Sequence, residues 1–377
     1  MCLMRIVDRA KTLVQHLTQP QVQPASKKPA EPPPEYRRDL ITGTQVIIAP
    51  QRGSRPITFV LPSDESEMLA PQRDDPFLDP QASGNKEPVL CLTEQESGEW
   101  SLQVFENKYP AVQTDQPVVA DVDLGPYESA YAYGYHYVVV TRDPVKNIAH
   151  LSHDKVEEII RAFLQMYRDI QNDPLIRYIT VFQNHGRQGG ASLPHPHSQI
   201  LATAIVPDDV RGQMERAKKF YEAHGATLFD FIIKRELADE SRIVYQNQHF
   251  LVFCPYAPLF SFEMHIFPKE HESYFEHIKD EHIGYLVDAL RATLQVLSKV
   301  MLNVHYNFFV RVTPVNSDSR YDYWRWHIVV TPRILHLAGL EIATRLSSLS
   351  MTPERMAESL RENTVPGTYS FNERIGE

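Results

Sequence analysis

Cysteine is scarce in this chain. Three residues, Cys2, Cys91 and Cys254, are too few and too scattered over 377 positions for a disulfide framework or a cysteine-based metal site. That scarcity points to a reducing, cytoplasmic compartment. Long apolar runs are missing as well: nothing approaches the roughly 18 uninterrupted apolar residues a membrane-spanning helix needs. Positive charge is outweighed, with 38 Lys and Arg against 48 Asp and Glu and a net charge of -10, which argues against broad nucleic-acid binding. Any nucleotide recognition must therefore be local. The first residues, Met1 to Gln19, carry Arg5, Arg9 and Lys11 in an amphipathic pattern but have no continuous apolar core for secretion, so they read as a tail. What remains is a chain with 42% hydrophobic residues, enough for two domains or one large duplicated one.

Composition also marks the boundaries. Pro20 to Pro34 is rich in Gln, Lys and Pro and suits an extended linker, so residues 1–34 are expected to be a flexible tail and folded structure to begin near Tyr36. Pro62 to Pro88, full of Asp, Pro, Gln and Ser, reads as a long loop. An internal repeat organises the middle. A strand at Tyr135–Val140 is followed by a helix from about Asp154 to Asn172, whose Val156, Ile159, Ile160, Phe163, Leu164, Tyr167 and Ile170 keep helical spacing, and then by strands at Tyr178–Gln183 and Ser198–Val206. The same order returns as Phe262–Pro268, a helix from about Asp280 to Met301, Tyr306–Val312 and Trp326–Thr331. Two copies of one α+β unit follow, with halves at 35–207 and 208–377.

The chemistry concentrates in Leu193-Pro194-His195-Pro196-His197-Ser198-Gln199. Two imidazoles and an amide at i, i+2 and i+4 leave one face of an extended strand. An imidazole is a good nucleophile near neutral pH, and a phosphorylated imidazole a good leaving species, so the row suits covalent transfer of a phosphoryl-type group. A pair of metal ligands or a polar surface strand is the less favoured reading of the same row, and Pro196 argues against an ordinary central strand. A third histidine is absent. Gln199 cannot shuttle protons, so it holds a phosphoryl oxygen without activating water, which favours a second acceptor over hydrolysis. Just upstream, Asn184-His185-Gly186-Arg187-Gln188-Gly189-Gly190-Ala191-Ser192 is a glycine-rich loop able to bring backbone N–H groups to a phosphate.

The segment from Phe182 to Gln199 resembles the active-site signature of the galactose-1-phosphate uridylyltransferase family, within the histidine-triad superfamily. Further matches are Tyr36-Arg37-Arg38-Asp39, the turn Ala49 to Pro56, Glu106-Asn107-Lys108-Tyr109-Pro110-Ala111, Pro255 to Phe275, Trp326-His327-Ile328, Pro332-Arg333 and Ala338-Gly339-Leu340-Glu341. The resemblance implies tandem duplicated histidine-triad-like units, antiparallel sheets with packed helices, and a homodimer. It makes His197 the nucleophile that carries the nucleotidyl group, with His195 supporting it. Gln199, Ser192, Gly190 and Asn184 become phosphate or nucleophile contacts, Arg52 and Arg55 a basic turn near the nucleotide, and Asn107 a ribose or base contact. Glu341, His327 and Arg325 are the candidates for a sugar phosphate; by the repeat the second copy reads as a scaffold from which Arg325 or His327 reaches a neighbouring subunit's site. In the repeat register, His195, His197 and Gln199 fall opposite Tyr323, Arg325 and His327.

The departures carry information of their own. Where zinc-binding relatives have a Cys-x-x-Cys pair and a later His, this chain has Asp75-Pro76-Phe77-Leu78 and Pro144, a poor four-ligand shell, so no metal and no other cofactor is expected. The acidic iron-type ligand falls near Gln213. Of the hexose contacts only Glu341 persists, beside Leu335, Leu340 and Ser347, and Lys108 stands where uridylyl-specific enzymes have an acid. The expected activity is transfer of a UMP or AMP group between a nucleoside diphosphate sugar and a hexose 1-phosphate. The alternatives are phosphorolysis of ADP-glucose or of a dinucleoside polyphosphate, and a non-catalytic nucleotide-binding protein. Neither nucleic acid nor a membrane is an expected partner.

Overall fold

The structure is a computed structural model that describes residues 32–54, 74–94, 96–115, 127, 129–301, 304–334 and 338–363. Arg55, Leu335 and most of the expected tail lie outside the described residues. In chain order the first strands are β1 (Glu35–Arg38), β2 (Gln45–Ile48), β3 (Leu90–Thr93), β4 (Trp100–Glu106) and β5 (Gly134–Thr141). Helix α1 (His153–Ile170) leads to β6 (Tyr178–His185) and β7 (His197–Thr203), and then to α2 (Asp208–His224) and α3 (Leu228–Asp239). There follow β8 (Ile243–Gln246), β9 (Phe250–Phe253), β10 (Met264–Pro268), α4 (Asp280–Val300), β11 (Tyr306–Arg311) and β12 (His327–Pro332). The end consists of α5 (Gly339–Thr344), β13 (Ser347–Leu349) and α6 (Pro353–Arg361).

Ten strands make one antiparallel sheet in the order β3-β4-β5-β7-β6-β11-β12-β10-β9-β8. That order is a mirror of itself. The first copy, β5-β7-β6, meets the second, β11-β12-β10, where β6 pairs antiparallel with β11. Beyond them β4 and β3 on one side match β9 and β8 on the other, so each copy holds five strands and a long helix rather than the three strands and a helix read from the sequence. β1 and β2 form a separate small sheet, joined by β13 running parallel to β2.

One face of the large sheet is covered. α1 opens on Ser152, whose hydroxyl accepts from the Lys155 N–H, and it buries the apolar stripe from Val156 to Ile170. α4 buries Ile283, Leu286, Val287, Leu290, Leu294 and Leu297 in the same way. Both stripes join one core with Val139, Val181, Ile200, Phe308, Val310, Ile328 and Val330 of the strands. Each fully buried side chain of this size contributes roughly 1.5–3 kcal/mol of transfer free energy. The alternate residues point the other way. Gln199 and Leu201 on β7, Phe182 and Asn184 on β6, and Asn307 and Phe309 on β11 are only partly buried, so the middle of the opposite face is accessible.

The register of the repeat is shifted by two residues from the sequence expectation. His197 and His327 each begin their strand, and each directs Nδ1 at the carbonyl of the residue two before it, His195 at 2.9 Å and Arg325 at 3.1 Å. His327 is therefore the counterpart of His197, not of Gln199, and Arg325 that of His195. Equal spacing misled because the loop before β12 is longer than the loop before β7. A shift of two keeps every side chain on its face.

Candidate active site

Pro196 sits one residue ahead of β7, where its missing N–H removes nothing from the ladder, so the central strand expected to be disfavoured forms after all. His197 is opposite Val140 on β5 and projects from the face away from the helices. It is 6% exposed. Around it lies a small apolar cluster of Phe77, Phe105, Val138 and Val140, with the Phe77 ring edge-on at 5.2 Å. Nδ1 donates to the His195 carbonyl, which leaves the lone pair on Nε2. Burial is the largest influence on the ring and pushes its pKa below the ordinary histidine value, against the opposing pull of that carbonyl. The neutral form is the nucleophilic one.

His195 lies off the strand and turns inward, so the row of three reduces to His197 and Gln199 on the strand itself. Its fully buried ring places Nδ1 2.7 Å from Asp75 Oδ2 and Nε2 2.8 Å from the Thr141 carbonyl. Both ring nitrogens face oxygen partners. The other carboxylate oxygen of Asp75 accepts from the Phe77 N–H at 2.9 Å, which ties the Phe77 ring to the same anchor. The zinc-type positions offer few donors. Both His195 nitrogens are engaged, Leu78 and Pro144 stand in the remaining zinc-type positions, and no group of three or more His, Cys, Asp or Glu is arranged for a metal among the described residues.

Two amides flank the nucleophile. Gln183 pairs with Ser198 on the β6–β7 ladder, and one step further along, Asn184 lies beside His197 on the same face. Asn307 of the second copy pairs with Asn184 across the join and donates from Nδ2 to Gly189 O at 2.6 Å and to Asn184 Oδ1 at 2.8 Å. With its oxygen engaged, Asn184 presents its NH2 group. On the other side Gln199 Oε1 is 2.7 Å from His136 Nε2, and His136 in turn neighbours Asn107. His136, Asn107, Lys108, Tyr135 and Tyr137 line a cavity of about 420 Å³ at the edge of this row.

The glycine-rich loop crosses above Asn184. Gly190 is left-handed at φ 85°, and a Cβ there would be 3.8 Å from Asn184 Nδ2, so the loop backbone passes close to the amide. Gly186 is the more constrained position, because at φ 73° a Cβ would meet His305 Nδ1 at 2.3 Å. Gly186→Ala is expected to destabilise the protein by about 1–3 kcal/mol, read from the urea unfolding midpoint. A loss below about 0.5 kcal/mol, the range of an ordinary surface change, would contradict this picture of the loop.

The remaining predicted residues are more dispersed. Ser192 is exposed on the same loop, and Arg52 is exposed in the turn after β2. Glu341, partly buried on α5, accepts from the Ala338 N–H. Arg325, another candidate for the sugar phosphate, is buried, donates to the Pro268 and Lys269 carbonyls at 2.7 and 2.8 Å, and pairs with Asp230. It braces α3 against the sheet. His327 is buried and lines a second cavity of about 480 Å³ over the second copy, together with Asn184, Asn307, Arg311 and Arg333. His136 and Asn307 escaped the sequence reading, because each is brought to the site only by the sheet order.

Known proteins resemble this chain in sequence and fold. The family model for the N-terminal domain of galactose-1-phosphate uridyl transferase matches residues 28–207. An ADP-glucose phosphorylase from Arabidopsis thaliana is 30% identical, covering 87% of this chain and 93% of its own. The chain belongs to the galactose-1-phosphate uridylyltransferase family. Within that family a galactose-1-phosphate uridylyltransferase from Thermotoga maritima is 28% identical over 71% of this chain and 86% of its own. The crystal structure of the Arabidopsis ADP-glucose phosphorylase with bound ADP-glucose superposes with a TM-score of 0.74 at 25% identity, over 88% of this chain and all of that one.

Proposed function

We propose that this chain is a nucleotidyltransferase working by double displacement on a nucleoside diphosphate sugar, without a resident metal. His197 Nε2 attacks the α-phosphorus, a P–N bond forms, and the P–O bond to the sugar phosphate breaks with its electron pair leaving on that oxygen. A phosphate-bearing acceptor then attacks the same phosphorus and frees the imidazole. The observation that carries this reading is the buried neutral imidazole with Nδ1 fixed on a carbonyl, set between the Asn184 and Gln199 side chains. Preorganised donors of this kind stabilise the charge that develops on the transferred group. No second imidazole replaces Gln199 to activate water, which supports transfer over hydrolysis.

The ADP-glucose phosphorylase likeness runs through most of both chains, and Lys108 replaces the acid of uridylyl-specific relatives. Both support adenosine as the base, and the likeness also supports inorganic phosphate as the acceptor. The pair to test second is UDP-glucose with a hexose 1-phosphate. The reading also expects a homodimer in the cytoplasm, with Glu341 serving the sugar phosphate and the free thiols Cys91 and Cys254 staying reduced.

The test is to incubate the protein separately with ADP-glucose and UDP-glucose labelled in the α-phosphate. ADP-glucose is expected to leave an acid-labile label on the protein, and added inorganic phosphate to discharge it. No label from either donor on folded protein would overturn the transferase reading and leave a nucleotide-binding role.

A further inference from the structure

We infer that His136 is a positioning residue that fixes which end of the Gln199 amide faces the transferred group. The inference rests on the reading of Gln199 as a phosphoryl contact and explains how a side chain with a donor end and an acceptor end is held in one sense.

The argument starts from a group that cannot turn over. The backbone N–H of Ala111 lies 3.1 Å from His136 Nδ1. A peptide nitrogen only donates, so Nδ1 must accept, and the hydrogen of the neutral ring sits on Nε2. Nε2–H then points at Gln199 Oε1 at 2.7 Å. An oxygen is the only amide end that can take this hydrogen, so Gln199 is held with its NH2 group directed away from His136. Were the amide reversed, two donors would face each other at hydrogen-bond distance. The approach of Asn107 Nδ2 to the same Nε2 at 3.3 Å is accordingly a contact between donors rather than a bond, since Asn107 Oδ1 already accepts from the Tyr109 N–H at 2.9 Å.

The consequence is chemical. A phosphoryl oxygen needs donors, and a freely rotating glutamine would offer its oxygen about as often as its nitrogen. His136 removes the unproductive sense. Its backbone is also engaged, because the Asn107 N–H donates to the His136 carbonyl at 2.8 Å, so β5 and the Asn107–Ala111 segment hold the ring from both sides. A parallel relay runs from the Gly189 carbonyl through Asn307 to Asn184 on the far side of His197. The two amides beside the nucleophile thus take their polarity from main-chain groups.

Two measurements test this. In full-length protein labelled with 15N-histidine, the His136 ring, assigned by its loss in His136→Phe, is expected to show the Nε2–H tautomer at neutral pH. Its Nε2 resonance is expected to move in Gln199→Leu. A hydrogen on Nδ1 would overturn the inference, whether or not any donor labels the protein. The second is a mutant cycle on the single-turnover rate of adduct formation. His136→Phe is expected to slow it roughly 10- to 100-fold with little change in the donor concentration for half-maximal rate, and to have little further effect in Gln199→Ala. Equal slowing in both backgrounds would reduce His136 to a structural residue. Absence of adduct in the wild type would instead count against the transferase reading, leaving the tautomer measurement to decide the role of His136.

Discussion

His197→Ala is expected to abolish label transfer from the donor and to lower turnover roughly ten-thousandfold or more, the scale of losing a covalent nucleophile. The melting temperature should change little by comparison, because the ring packs on a small apolar cluster rather than in the main core. The pH dependence follows from the same burial. The reactive species is the neutral ring, and burial holds its pKa below the ordinary histidine value of about 6.5. The ring therefore stays neutral as pH falls through that value, and the acid limb of adduct formation should lie below about pH 6.5. An acid limb centred above pH 7, or an alanine variant retaining a tenth of wild-type activity, would remove His197 from the role of nucleophile.

Much of this site could be read from the chain before its fold was known, and the reason is local geometry. His197, Gln199 and Asn184 stand on adjacent strands whose apolar runs and turn residues announce themselves, and alternation along a strand fixes the face each side chain takes. The helices at α1 and α4 were legible because their apolar stripes keep the 3.6-residue period over several turns. Loop length is not encoded in this way, which is why the copies were aligned two residues out of register around His327. Long-range pairing is also invisible to periodicity. Asn307 lies 123 positions from Asn184 and His136 lies 63 from Gln199, and only the order of strands in the sheet brings either pair together. The surroundings of Arg325 were hidden for a related reason: its partners, Asp230 and two carbonyls, are far away in sequence.

The largest expected effect on stability belongs to Asp75. Its carboxylate and the His195 ring are buried together, with 7% and 0% of their side chains exposed, and the Thr141 carbonyl takes the remaining ring N–H. Replacing Asp75 by alanine would leave that ring buried with Nδ1 unpaired. Breaking a buried pair on one side costs about 3–5 kcal/mol, far more than the pair itself contributes when intact. Asp75→Asn keeps an acceptor oxygen for His195 Nδ1 and should lose less. Both variants should also slow adduct formation more than they weaken donor binding, because the His195 carbonyl orients His197 Nδ1 and Phe77 packs on both rings. If this carboxylate does the bracing that a metal would otherwise do, a strong chelator will leave the melting temperature of the wild type unchanged while Asp75→Ala lowers it. A chelator-induced drop, or an alanine variant less than about 1 kcal/mol weaker by urea unfolding, would show that something other than the Asp75–His195 pair holds this segment against the sheet.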